Sequence, residues 1–200
     1  FTSKMPNVET SIFTEMSMMA NQHQAINLSQ GFPEFDTPAF LKDKINQAIS
    51  EGKNQYSPSN GLPELLKQIA EMIHRQYQSH LADEQKLNGL NNVTITSGAT
   101  EALWVAIQAL VRPNDEVIIF AIIVNSPHNP TGSILSAADL NTLQALVEKY
   151  DLYVISDEVY EHMTFDGLRH ESVLRYPELF NRSFVVSSFG KTFHCTGWKM

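Results

Sequence analysis

Apolar positions recur along this chain with two different periods, and the switching between them lays out the elements. Near the start, Ile12, Met16 and Met19 fall at helical spacing. A Gly- and Pro-containing loop, "LSQGFPEFDTP", follows. Thr37 as N-cap and Pro38 at the first helical position then predict a helix. Its apolar face is Leu41, Ile45, Ala48 and Ile49, and Gly52 is its expected stop. "QYSPSNGLPELLKQIAEMI" repeats the grammar, with Leu62, Leu66, Ile69 and Ile73 on one stripe. In "NNVTITSGATEALWVAIQALV" a short strand, Val93 to Thr96, is expected to run through Ser97-Gly98 into a helix carrying Leu103, Ile107 and Leu110. Ser136 and Asp139 form a capping box for a helix with Leu140, Leu143 and Val147 inward. "LYVISDEVY" and "FVVSSFGK" read as two further strands, each ending in polar residues. Strands alternating with helices predict an α/β domain with a mostly parallel sheet covered on both faces.

One stretch breaks the pattern. In "DEVIIFAIIVNSPHNP" the apolar run Val117 to Phe120 passes into Ala121 to Val124 with no turn between them. Parallel neighbours need a crossover of about a dozen residues or more. A segment is therefore expected to be missing after Phe120; one continuous buried strand is the alternative. The chain begins at Phe1 and stops at Met200 directly after a motif, so both ends are expected to be cut.

Composition narrows the classes. The 200 residues are 42% hydrophobic and 18% charged, with a formal net charge of −8. That balance argues against wrapping around nucleic acid, though not against a locally basic pocket for a small anion. Cys195 is the only cysteine, which excludes a disulfide framework and a cysteine-based metal site and suits a reducing cytoplasm. No apolar stretch approaches a membrane span, and the N-terminus lacks the layout of a signal peptide.

The chemistry-bearing residues gather where strands end. Gly190-Lys191-Thr192 suggests a P-loop, but that motif needs a glycine at position 185, and Val185 lies in a β-branched run. In an open parallel sheet, ligands sit beyond the carboxyl ends of the strands. Four such ends carry polar residues: Ser97 to Thr100, Asn125 to Asn129, Asp157 with Tyr160, and Ser188 with Lys191. Each has an ordinary reading taken singly, as a helix cap, a turn, a strand end or a core tyrosine. Together they offer an anion cradle at a helix start, two lysines (Lys191 and Lys199) near one pocket, and an acid in need of a donor. A cation beside an amine favours its neutral, nucleophilic form. A ligand with a phosphate, a basic ring nitrogen, a phenolic oxygen and an aldehyde matches that set, and pyridoxal 5'-phosphate has all four.

The motifs also resemble a known family. "SSFGKTFHCTGWK" is similar to the cofactor-attachment motif of the fold-type I, aspartate aminotransferase-like enzymes of class I/II. "NSPHNPTG", "SDEVY", "SGATEAL" and "QYSPSNGLPEL" resemble that family's other landmarks in the same order, and "LSQGFPEFDTP" is most similar to its kynurenine and methionine aminotransferase branch. The resemblance implies a pyridoxal-phosphate-dependent large domain over 31–200, incomplete after Phe120, preceded by an N-terminal arm or part of a small domain over 1–30. It implies that Lys191 binds the cofactor aldehyde as a Schiff base, that Asp157 pairs with the pyridine nitrogen, and that Asn129 and Tyr160 hydrogen-bond the phenolic oxygen. Ala99, Thr100, Ser188 and Lys199 are implied to hold the phosphate, with lysine at 199 where many relatives use arginine. Tyr56 is implied to reach the phosphate of a neighbouring subunit, hence a homodimer. Gly31, with Asn129, is implied at the substrate.

Two departures stand out. Relatives follow the "DEVIIF"-like strand with a segment carrying the aromatic that stacks on the cofactor ring, and a C-terminal domain supplies an arginine for the substrate carboxylate. Neither has a counterpart before Met200. The expected activity is transfer of an amino group between an amino acid (methionine, aromatic or kynurenine-like, from Phe32 and Phe35) and a 2-oxo acid. A cysteine-conjugate β-lyase using the same cofactor, or a non-catalytic remnant of the fold, are the alternatives. The expected setting is cytoplasmic, without nucleic acid or membrane. His128 and His194 flank the motifs without a second ligand at metal spacing and are expected to be loop histidines, and Cys195 a packing residue.

Overall fold

A computed structural model describes residues 9–31, 35–112, 114 and 121–198, the side chain of Glu84 excepted. They fall into two compact units, Phe1–Asp36 and Thr37–Met200. In the first, helix α1 (Ile12–Gln22) starts at Ser11, whose hydroxyl accepts from the Thr14 N–H. Ile12, Met16 and Met19 are on it as the spacing predicts, and none is buried.

The second unit holds a three-stranded parallel sheet, β1 (Ala121–Asn125), β2 (Tyr153–Asp157) and β3 (Ser183–Val186), in chain order. The register pairs Asn125 with Asp157 and Asp157 with Val186, so the strands finish level. Val185 is inside β3, which removes the P-loop reading. Helix α2 spans Ala39–Ser50, α3 Pro63–Gln76, α4 Gly89–Asn92 and α5 Ala99–Leu110. They are followed by α6 (Ala137–Tyr150), α7 (Pro177–Asn181) and α8 (Phe189–Thr192). The core packs Leu140, Leu143 and Val147 of α6 and Leu179 of α7 against Val154, with Leu152 and Val173 alongside. The Ser136–Asp139 capping box opens α6 as expected, and the Ser136 hydrogen bonds hold the Asp139 carboxyl below its ordinary pKa.

Two local expectations are corrected. Val93 to Thr96 is not a strand: Val93 is extended, but Ile95 spends its N–H on the Asn60 carbonyl (2.9 Å) in a loop, and no ladder forms among the described residues. Thr37 is not the cap of α2. Pro38 takes that position without a side-chain bond, and the Thr37 hydroxyl donates instead to the His194 carbonyl (3.0 Å). Residues 115–120 lie outside the described residues, and with them the Val117–Phe120 run.

Gly89 shows how closely α4 meets α3. A Cβ there would touch the Leu66 carbonyl oxygen and lie 2.8 Å from its carbon, backbone atoms that cannot rotate away, while Leu66 itself is fully buried. Gly89→Ala is expected to destabilise the chain by about 1–3 kcal/mol, read as a lower urea midpoint at unchanged slope.

Candidate active site

Three of the four predicted polar ends converge. At the end of β1 the Asn125 amide donates to the Asp157 carbonyl (2.9 Å), and its oxygen accepts from the Asn129 N–H (2.9 Å). That exchange bends the "NSPHNP" loop back over β2. The Asn129 amide then donates to the Tyr160 hydroxyl (3.3 Å). Lys191, on the one-turn helix that follows β3, places Nζ 5.3 Å from the centre of the Tyr160 ring. The Ser188 hydroxyl caps that turn by accepting from the Lys191 N–H (3.4 Å). Asp157, Asn129, Tyr160, Ser188 and Lys191 therefore belong to one connected group, at the carboxyl side of the sheet.

The electrostatics set Asp157 apart. It is half-buried, and burial is the main reason its carboxyl is pushed above the ordinary Asp value. The Val159 N–H bound to Oδ1 opposes the shift, and the neighbouring Glu158 charge adds to it. Oδ2 carries no hydrogen bond to any described residue, and neither does the Lys191 amine.

Ala99 and Thr100 are the first two residues of α5, whose N–H groups have no intrahelical acceptor. Gly98 precedes them with φ +85°, a conformation that favours glycine, and α5 lies beside β2 and β3. The Glu101 carboxyl folds back onto the Ser97 N–H. Tyr56 is fully exposed in the loop between α2 and α3. Gly31 is exposed in the N-terminal unit, and Lys199 and Phe32 lie outside the described residues. His128 Nδ1 bonds the Thr131 hydroxyl (2.8 Å), and Cys195 is buried with its thiol toward the Phe189 carbonyl and its pKa raised by that burial.

The sequence reading missed what lies behind this group. Glu158 is 1% exposed and Glu161 6% exposed, and both are engaged with residues far along the chain. The signal was present in part: Val154, Ser156 and Glu158 alternate, so they share a face of β2 and its extension.

The model of aminotransferase class I and II matches the chain over residues 23–122 and again over 119–200. The chain belongs to this family. Methionine aminotransferase of Escherichia coli (strain K12) is 39% identical over 242 aligned positions, which cover 99% of this chain and 61% of the relative. Human kynurenine--oxoglutarate transaminase 1 is 28% identical, with 98% of this chain and 59% of the relative covered. Among solved structures, Escherichia coli YbdL, described as having a methionine aminotransferase function, superposes with a TM-score of 0.90 at 38% identity, over 99% of this chain and 62% of that one. N-succinyldiaminopimelate aminotransferase from Mycobacterium tuberculosis gives 0.87 at 31% identity, over 100% and 62%. This family member thus spans about three fifths of the length of such relatives. The two family matches meet at 119–122, and 242 aligned positions exceed the chain's 200 residues, so the bacterial relative carries positions with no counterpart here.

The family's cofactor is pyridoxal 5'-phosphate. The donor set fits it: an amine and a half-buried carboxyl oxygen that make no hydrogen bond to any described residue, and an amide–phenol pair.

Proposed function

We propose that this chain is the cofactor-binding part of an aminotransferase that moves an amino group between an amino acid and a 2-oxo acid. The observation that carries the reading is the linked set Asn125, Asn129, Asp157, Tyr160 and Lys191 at the carboxyl side of a parallel sheet. Pyridoxal phosphate, when bound, supplies an electron sink for negative charge developing on the substrate Cα. Lys191 Nζ would hold the cofactor and would move a proton at the substrate Cα. The Asp157 carboxylate would hold the ring nitrogen in its protonated form. Asn129 and Tyr160 would hydrogen-bond the phenolic oxygen. The amides of Ala99 and Thr100 hold the phosphate with Ser188 and Lys199, and Tyr56 joins them from a second copy in a homodimer. Asn129 would also face the substrate. In domain terms, 1–30 is the N-terminal arm or part of a small domain, and 31–200 is a large domain lacking a segment after Phe120.

The proposed substrates are methionine, aromatic amino acids or kynurenine, and the proposed setting is the cytoplasm. The names of the relatives support the first choice, as does Phe35, which is 60% exposed in the N-terminal unit. Among the described residues no helix is long and apolar enough to cross a membrane.

A panel of amino donors with a common 2-oxo acid acceptor tests the assignment. The expected result is highest kcat/KM for methionine or an aromatic donor, with ping-pong kinetics. Pyruvate and ammonia released from a cysteine conjugate without added oxo acid would turn the reading to a β-lyase. A colourless chain that takes up no pyridoxal phosphate would leave the non-catalytic remnant.

A further inference from the structure

The turn "DEVYE" repeats an i, i+3 relation twice. Asp157 and Tyr160 belong to the proposed site, while Glu158 and Glu161 are turned into the interior. Glu158 Oε1 accepts from the Ser156 hydroxyl (2.8 Å) and the Val173 N–H (3.2 Å), and Oε2 bonds His170 Nε2 at 2.7 Å. His170 is 6% exposed and its Nδ1 has no partner among the described residues, so its one polar engagement with them is with Glu158. Glu161 Oε2 accepts from the Tyr77 hydroxyl at the end of α3, 84 residues earlier in the chain. Tyr77 accepts in turn from the Gln76 amide (2.9 Å), carries the Arg175 guanidinium 5.4 Å from its ring centre, and meets the His170 ring edge-on at 6.1 Å. The main chain is tied as well: the Glu158 N–H donates to the Val186 carbonyl of β3 (2.8 Å), and the Glu161 N–H to the Glu158 carbonyl (2.9 Å).

Buried acids are an expensive way to fill space, because apolar side chains of similar volume do it without a desolvation cost. Among the described residues no lysine or arginine pairs with either acid; the hydrogen bonds come from hydroxyls, a backbone amide and the His170 imidazole, with His162 4.0 Å from Glu161. What such a network supplies is a preferred arrangement, since breaking any of its bonds leaves a further buried polar atom unmet. Burial, then the Glu161 charge, pushes the Tyr77 hydroxyl well above its ordinary pKa, so it remains a donor throughout the neutral range.

We propose that Glu158 and Glu161, through His170 and Tyr77, are positioning residues that hold Asp157 and Tyr160 at the cofactor ring. This inference rests on the proposed function. It extends the site into the interior, to residues that touch neither cofactor nor substrate. Displacement of a binding group by about 1 Å costs on the order of 100-fold where geometry limits the reaction, so a loosened turn has a measurable consequence.

The test uses the full chain with Tyr77→Phe and Glu158→Gln. Affinity for pyridoxal phosphate is read from its visible absorbance. Affinity for pyridoxal, which lacks the phosphate, and for inorganic phosphate as competitor is read alongside. Both variants are expected to weaken pyridoxal phosphate and pyridoxal by about tenfold or more, with the inorganic phosphate constant unchanged, because α5 is not part of the network. Urea midpoints establish that the variants are folded where binding is measured. If Glu158→Gln does not fold, Tyr77→Phe, which removes one hydroxyl, decides the matter. Folded variants with lower midpoints but wild-type constants for both ring compounds would overturn the positioning role alone. A wild-type chain that binds no pyridoxal phosphate would overturn the functional reading and this inference with it.

Discussion

Lys191→Ala is expected to abolish covalent attachment of pyridoxal phosphate and to lower amino-group exchange by about 10²- to 10⁴-fold. The amine has no hydrogen bond or ion pair to any described residue, so its removal withdraws only its contact with the Tyr160 ring. The one-turn helix that carries it keeps its cap, because the Ser188 hydroxyl accepts from the backbone N–H, which alanine retains. Stability should therefore stay within about 1 kcal/mol of wild type. Borohydride reduction followed by mass measurement checks attachment directly: a fixed cofactor mass on wild type, none on the variant. Exchange persisting at wild-type rate in the variant would remove Lys191 from the chemistry, whatever its neighbours do.

Asp157→Asn is expected to pull activity and stability in opposite directions. Asparagine cannot hold a protonated ring nitrogen by charge, so exchange should fall by about 100-fold or more, in line with the loss of an oriented electrostatic partner. Without cofactor the variant should be the more stable chain at neutral pH. Burial raises the Asp157 carboxyl above its ordinary value, so the folded state binds the proton more tightly than the unfolded state does. The wild type consequently loses stability as pH rises from the ordinary Asp range, about 3.9, to the raised value, and carries the whole deficit above it. Asparagine never ionises, so the variant's advantage is full at pH 7 and vanishes below the ordinary Asp range. Urea midpoints of both proteins at neutral and acid pH measure this. With pyridoxal phosphate present the order at pH 7 should reverse, because a ligand stabilises the form it binds more tightly. A variant less stable than wild type at pH 7 without cofactor would show that the Val159 N–H bond to Oδ1 outweighs burial.

Much of the sheet was legible because its strands are β-branched runs that end in polar residues: β2 lies within "LYVISDEVY", and β3 overlaps the start of "FVVSSFGK". The α6 cap was legible because Ser136 and Asp139 satisfy each other locally. Val93 to Thr96 has the same β-branched look and is not a strand, since a strand is defined by a neighbour and its neighbour is a loop carbonyl. Thr37 looked like a cap, but its hydroxyl answers His194, 157 residues away. The site followed the same division. Asp157, Asn129, Tyr160, Ser188 and Lys191 could be read because each sits at the end of a recognisable element. Glu158 and Glu161 could not be separated from ordinary turn acids, because what buries them arrives from Tyr77, His170 and Val173.

The succession of β1, β2 and β3 in both chain and sheet bears on how the molecule assembles. Ala121 pairs with Tyr153, and Val154 with Ser183, so each closure spans a similar, modest length of chain. Loop entropy grows only slowly with length, by about 0.6 kcal/mol per doubling. The sheet can therefore zip up one strand at a time as the polypeptide emerges, without waiting for distant partners. In that order of assembly Asn129 and Asp157 meet first, and Lys191, the latest of this group in the chain, joins them last.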